Sequence, residues 1–178
     1  ALQYLPGIRD RVFAGNYAEA EKMATEKVMS QTNSGMPYQS FGDLRISFPG
    51  HSEYSDYYRG LSIDSATALV RYKVKGVEFQ REMFTSFPDQ VVVMRLTASR
   101  KKSISFNAIL TSPHQDVKIT SEGKDIVLSG ITPTHERLRG KVEFQGRVTA
   151  RLRGGSMTVR DGVLAVDKAD EVLIFVSI

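Results

Sequence analysis

From Asp43 almost to the C-terminus, apolar and polar residues alternate with a period of two, in short runs broken by turn residues. That period places successive side chains on opposite faces of a strand, and it excludes a mostly helical body. Leu44, Ile46 and Phe48 alternate with Asp43, Arg45 and Ser47, and the run stops at Pro49-Gly50. Ala66, Ala68, Val70, Tyr72 and Val74 share a face opposite Thr67, Arg71 and Lys73. Lys75-Gly76 then turns the chain into a hairpin partner that carries Val77, Phe79 and Glu82–Phe84. Pro88-Asp89 leads into Val91–Leu96, which is apolar on both faces, as a central strand should be. Ile104, Phe106, Ala108 and Leu110 alternate cleanly, and weaker strands are expected at Val117–Thr120 and Ile126–Leu128. Val142, Phe144, Val148, Ala150 and Leu152 share a face opposite Glu143, Gln145, Arg147, Thr149 and Arg151. Asp161-Gly162 joins Met157–Val159 to Val163–Val166, the strongest hairpin signal present. Repeated short strands with turn chemistry between them predict a mainly β chain, an antiparallel β-sandwich.

The first thirty residues read differently. Apolar residues recur at helical spacing, and two short helices are expected between about residues 7 and 29. Gly15-Asn16 separates them, Asn16 is placed to cap the second, and Glu19 stands at the capping-box position. Tyr17, Ala20, Ala24 and Val28 form a stripe expected to face a sheet or a partner domain. Asn33-Ser34-Gly35 ends the helical region, and a turn-rich loop runs to Gly42. One sandwich domain over residues 1–178 is the expected organisation, with helices at 7–29 and strands at 43–178. A chain of this length buries enough surface to fold without covalent staples.

Cysteine is absent, which excludes disulfides and thiolate metal sites. No apolar run approaches the roughly 18 residues of a membrane span, so no membrane partner is expected. The formal charge of +4 raises nucleic acid as a partner. Basic residues that alternate with carboxylates on the wet face of a sheet account for it without one. The ends, Ala1–Leu5 without a cap and an apolar final strand over Glu171–Ile178, lead us to expect a domain cut from a longer polypeptide.

Metal and nucleophile chemistry find little here. His51, His114 and His135 lack metal-ligand spacing, and no phosphate-cradling glycine loop or nucleophile elbow occurs. Glycoside hydrolysis needs one protonated and one ionised carboxyl group across the scissile bond. Glu53, Asp56 and Asp64 lie close in sequence, but their polar setting offers no burial to raise one of their pKa values. No catalytic residue, metal or cofactor is therefore assigned. The aromatic segment is the better site candidate. A polar, tyrosine-rich loop is expected from His51 to Gly60. Tyr38, Gln39, His51, Tyr54, Tyr57 and Tyr58 offer flat faces and hydrogen-bonding groups of the kind sugars use. Tyrosines that pack this loop onto the sandwich edge are the alternative.

Four segments carry a family resemblance: Phe13–Ala24, Met36–Leu44, Tyr58–Ala66 and Val77–Ala98. They include Met36-Pro-Tyr-Gln-Ser-Phe-Gly-Asp-Leu and Phe84-Thr-Ser-Phe-Pro-Asp-Gln, in order. Together they resemble the N-terminal β-domain of family 95 glycoside hydrolases, the α-L-fucosidase family, which also includes enzymes acting on α-L-galactosides. Ser40 stands where that family often has proline. The resemblance implies a super-sandwich of the galactose-mutarotase-like type, packed through helical linkers on an (α/α)₆ barrel that carries the catalytic groups of an inverting exo-glycosidase. No residue here matches those catalytic motifs. It also implies a fucosylated or related glycan as the whole enzyme's substrate and the helical barrel of the same polypeptide as partner. A periplasmic or extracellular location in a bacterium is expected. A stand-alone carbohydrate-binding module is the competing function. Self-association of the fragment is expected if the helix stripe and the strand over Glu171–Ile178 lack partners.

Overall fold

The computed structural model describes residues 1–29, 40–135 and 138–178. The chain divides into two compact units, Ala1–Gln39 with Thr134–Gly140 and Ser40–Pro133 with Lys141–Ile178.

In the first unit, a single 3-10 turn at Leu2–Tyr4 runs into helix α1 (Leu5–Phe13), and α2 follows (Tyr17–Lys27). Pro6 lies in the first turn of α1, where its missing N–H costs nothing. Gly15, at φ 78°, makes the break between the helices. The expected capping box does not form. Asn16 contributes its backbone carbonyl to Ala20 N–H but no side-chain cap, and Glu19 faces Arg11 across 3.7 Å instead. A half-buried arginine on α1 competes for the carboxylate that would close the box. Of the expected stripe, Ala20 is buried and Ala24 half-buried, whereas Tyr17 and Val28 are exposed.

The second unit is all β, in two antiparallel sheets. Its strands are β1 (Asp43–Ser47), β2 (Ser55–Ser62), β3 (Thr67–Val74), β4 (Val77–Ser86), β5 (Val91–Ala98) and β6 (Ile104–Thr111). The rest are β7 (Val117–Glu122), β8 (Asp125–Ile131), β9 (Glu143–Arg153), β10 (Ser156–Arg160), β11 (Val163–Ala169) and β12 (Glu171–Ser177). A four-stranded sheet has the order β1-β6-β11-β10, and an eight-stranded sheet the order β2-β3-β4-β5-β12-β9-β8-β7. The predicted sandwich is therefore the observed architecture.

The apolar face of each strand builds the core. Ile104, Phe106, Ala108, Leu164 and Val166 from the small sheet meet Leu96, Ile126, Leu128, Val148, Val172 and Ile174 from the large one. Ile126, Leu128, Val148, Val172 and Ile174 are wholly buried, so β8, whose short run reads weakly in sequence, sits at the centre of packing. A second, smaller cluster of Tyr72, Val74, Val77 and Phe79 lies under the β3–β4 hairpin.

Two expectations need correction. Residues 55–60 are not loop but strand β2, the edge of the large sheet, paired among the described residues to β3 alone. All but one of its residues are exposed, so no apolar alternation marks it. The strand over Glu171–Ile178 is not an open edge either. β12 is paired on both sides, with β5 and β9, so its backbone invites no added strand.

On the outward face of the large sheet, arginines stand beside carboxylates. Arg95 meets Glu171 at 2.6 Å and Glu82 at 3.4 Å, Arg153 meets Glu171 at 3.1 Å, and Arg147 meets Asp125 at 2.7 Å and Glu122 at 2.9 Å. Among the described residues no helix is long and apolar enough to cross a membrane.

Candidate functional site

The segment after β1 folds back over the inward face of the β3–β4 hairpin. Gly50, at φ 78°, completes the turn that Pro49 begins. The turn brings His51 onto Phe79, with ring centroids 4.5 Å apart, and Phe48 onto Phe106 of the main core at 5.5 Å. Register explains what lies beneath. Tyr72 on β3 pairs with Phe79 on β4, and Val70 pairs with Arg81, so Tyr72 and Arg81 project on one side of the sheet.

Arg81 is the centre of this cluster. Its guanidinium carbon lies 4.2 Å from the Phe48 ring centroid and 5.0 Å from that of Tyr72. Arg81 Nη2 donates to the Tyr72 hydroxyl at 2.6 Å, and that oxygen lies 2.9 Å from His51 Nδ1. Arginine can only donate, so the tyrosine oxygen accepts from it and keeps its own proton for His51. We assign the histidine proton to Nε2, which leaves Nδ1 as the acceptor. Burial, then the charge of Arg81, holds the His51 pKa below its ordinary value of 6.5, in keeping with a neutral ring.

Four of the six sequence-predicted site residues fall on described positions, and two of them belong to the cluster. His51 is hydrogen-bonded to Tyr72, and Tyr54 lies against Tyr72 at 6.2 Å and Tyr57 at 5.7 Å. Tyr57 is therefore marginal. Tyr58 is elsewhere: it pairs with Arg71 on the opposite side of the sheet, and Arg71 sits 5.7 Å from its ring. There its ring occupies the space above Gly60, two residues on. Tyr38 and Gln39, with the expected loop from residue 30, lie outside the described residues.

Sequence reading missed Arg81, Tyr72 and Phe79 as partners in the cluster. The available signal was Arg81 itself, a charged residue on the face that Phe79 and Met83 share. An inward charge in an amphipathic strand needs a partner.

Beside the cluster opens a cleft of about 480 Å³ lined by Gly50, Ser52, Glu53, Tyr54, Ser55, Lys73 and Lys75. Lys73 bonds Asp56 at 2.9 Å, and that hydrogen bond raises the ammonium pKa above its ordinary value. The cleft thus presents one aromatic ring, hydroxyls and charges of both signs, which suits a polar, polyhydroxylated ligand. It does not suit glycoside hydrolysis. Glu53 and Asp56 are both exposed, and Asp56 is already held by a lysine. Among the described residues no group of three or more metal-ligating side chains is gathered.

Comparison with known proteins adds the following. The family pattern described as "Glycosyl hydrolase family 65, N-terminal domain" matches residues 1–178. The chain is 35% identical over 137 residues to "Alpha-L-fucosidase 2" of Arabidopsis thaliana, covering 73% of this chain and 16% of that protein. It is 31% identical over 157 residues to "Probable alpha-fucosidase A" of Aspergillus niger, covering 86% of this chain and 18% of that protein. A solved structure titled "Putative kojibiose phosphorylase from human microbiome" superposes with a TM-score of 0.52 at 11% identity, over 83% of this chain and 25% of that one. At that identity the likeness is one of fold. The chain thus spans 16% and 18% of the length of the two curated relatives.

Proposed function

Because this chain belongs to the glycosyl hydrolase family 65 N-terminal domain family, we propose that it is the noncatalytic β-domain of a longer, α-L-fucosidase-like inverting exo-glycosidase. In this reading it supports a helical catalytic barrel formed by other parts of the polypeptide, and the segment over residues 40–58 reaches toward the mouth of that barrel's active site. The observation that carries the proposal is the pair of curated relatives. Both bear fucosidase names, at 35% and 31% identity, and this chain accounts for under a fifth of each. The family 95 resemblance of the sequence agrees with those names.

The geometry supports the noncatalytic part of the reading. Inverting hydrolysis needs two carboxyl groups roughly 6.5–9.5 Å apart with opposite protonation states, and the acids of the aromatic segment are exposed on a polar surface. The decisive experiment assays this 178-residue chain and the full-length protein side by side on an aryl α-L-fucoside. Turnover by the full-length protein and none by the shorter chain is the expected result. Turnover by the shorter chain alone overturns the proposal.

The cleft beside Tyr54 favours a second reading, carbohydrate binding in its own right. Titration with fucosylated glycans followed by NMR tests it. Saturable shifts at Tyr54 and Lys73 support binding there, and unshifted spectra at millimolar ligand exclude it.

A further inference from the structure

The eight-stranded sheet is wider than the four-stranded sheet that covers it, and the difference leaves an apolar surface that no described residue of the β unit covers. The core facing the small sheet draws on β5, β12, β9 and β8. On the remaining wing, β2-β3-β4, the returning segment through Phe48 and His51 covers only the half that holds Tyr72 and Phe79. The other half carries the cross-strand row Leu61, Ala68 and Met83 on the same inward side. Leu61 there is 71% exposed and Met83 40%.

Strand direction gathers more apolar groups at this end. The β2–β3 turn, the β4–β5 turn and the end of β12 all lie at one end of the sheet, since Ala68 pairs with Met83 and Val92 with Val176. Ile63 in the first turn is 88% exposed and Phe87 in the second 85%. Between the second turn and the end of β12 lies a recess of about 290 Å³, lined by Phe87, Val92, Val176 and Ile178 among others. Exposed leucine, isoleucine and phenylalanine so close together mark an interaction surface.

We propose that this end of the large sheet is the seat of the polypeptide that follows Ile178 in the full-length protein. Ile178 lines the recess together with Phe87, so a segment continuing from it starts at this surface. The length outside this chain is ample: it spans 16% and 18% of its curated relatives. An apolar segment laid from the recess across Met83 and Leu61 to Ile63 replaces the missing width of the small sheet. This inference rests on the reading of the chain as one domain of a longer enzyme and names the surface through which that domain is held.

The test replaces Phe87 in the full-length protein with the photocrosslinker p-benzoylphenylalanine, with Lys118 on β7 replaced likewise as a control. After irradiation, mass spectrometry should find position 87 joined to a peptide C-terminal to Ile178 of the same molecule, and position 118 not. Links from position 87 to a second copy, to residues 1–178 only, or to nothing overturn the proposal. In parallel, Ile63→Ser with Phe87→Ser should speed proteolytic cleavage just beyond Ile178 by roughly tenfold, because the exposed seat no longer holds the segment. Unchanged cleavage counts against the seat. Fucosidase assays on the same samples separate the two ideas: activity without the crosslink sinks the seat alone, and the crosslink without activity sinks the enzymatic reading alone.

Discussion

Arg81 ties the aromatic segment to the sheet by charge and hydrogen bonding together. Its side chain lies between two aromatic faces and donates to Tyr72, while its buried Nε has no protein partner among the described residues. The Tyr72 hydroxyl, accepting from Arg81 and donating to His51, is the joint. Tyr72→Phe should therefore lower stability by about 1–3 kcal/mol, the cost of leaving buried polar groups unpaired. Urea unfolding should show a lower midpoint with an unchanged slope. His51 gives the protein a pH dependence of definite sign. Its folded pKa lies below the unfolded value of 6.5, so the unfolded chain binds the proton more readily. The stability it contributes is present above pH 6.5 and is lost as pH falls through the folded pKa. His51→Gln should flatten the unfolding midpoint across that window, and an equally steep profile in the variant refutes the assignment. Sequence alone points to His51 and Tyr54 by their chemistry. It marks Arg81 only as a charge among the apolar positions of its strand; the register of β4 against β3 is what sets Tyr72 beside it.

At the scale of elements, turn chemistry was the most legible feature. Lys75 and Gly76 have φ 49° and 76°, and Asp161 and Gly162 have φ 52° and 75°, the left-handed pairs that two-residue hairpins require. β2 was illegible for a physical reason: with one neighbour and one half-buried residue, nothing selects an apolar alternation there. The helix cap misled because an exposed carboxylate bonds whichever donor is nearest, and α1 supplied Arg11. Two glycines separate backbone strain from collision. A Cβ at Gly76 meets open space, so Gly76→Ala carries only the strain of positive φ, about 1–2 kcal/mol. At Gly155, φ 69°, the same atom runs into the backbone of Asp167 and Ala169, which adds roughly 1–3 kcal/mol. Gly155→Ala should therefore be clearly the more destabilising of the two by thermal unfolding, and equal losses contradict the geometry.

For the whole molecule, unequal sheet widths divide the β unit into a doubly covered centre and a half-covered wing. In the centre, Ile174 is wholly buried on a strand paired along both edges. Ile174→Ala should cost about 2–5 kcal/mol, in the usual range for a buried branched residue cut back to a methyl group. On the wing, β2 has one free edge and the small cluster of Tyr72, Val74, Val77 and Phe79 beneath its neighbours. Local opening needs less free energy where fewer apolar groups must be exposed and fewer ladder bonds broken. Amides of β2 and the outer half of β3 should exchange with solvent well before those of β12, β9 and β5, whose opening requires the main core to come apart. Native-state hydrogen exchange at increasing urea should resolve two cooperative units, with the wing the weaker. Tyr72→Phe should then speed exchange in β2 and β3 while leaving β12 and β9 nearly unchanged. Uniform protection across all eight strands, or an equal response in β12, would mean that the joint at Tyr72 is coupled to the centre through Phe48 and Phe106, and that the sheet opens as one body.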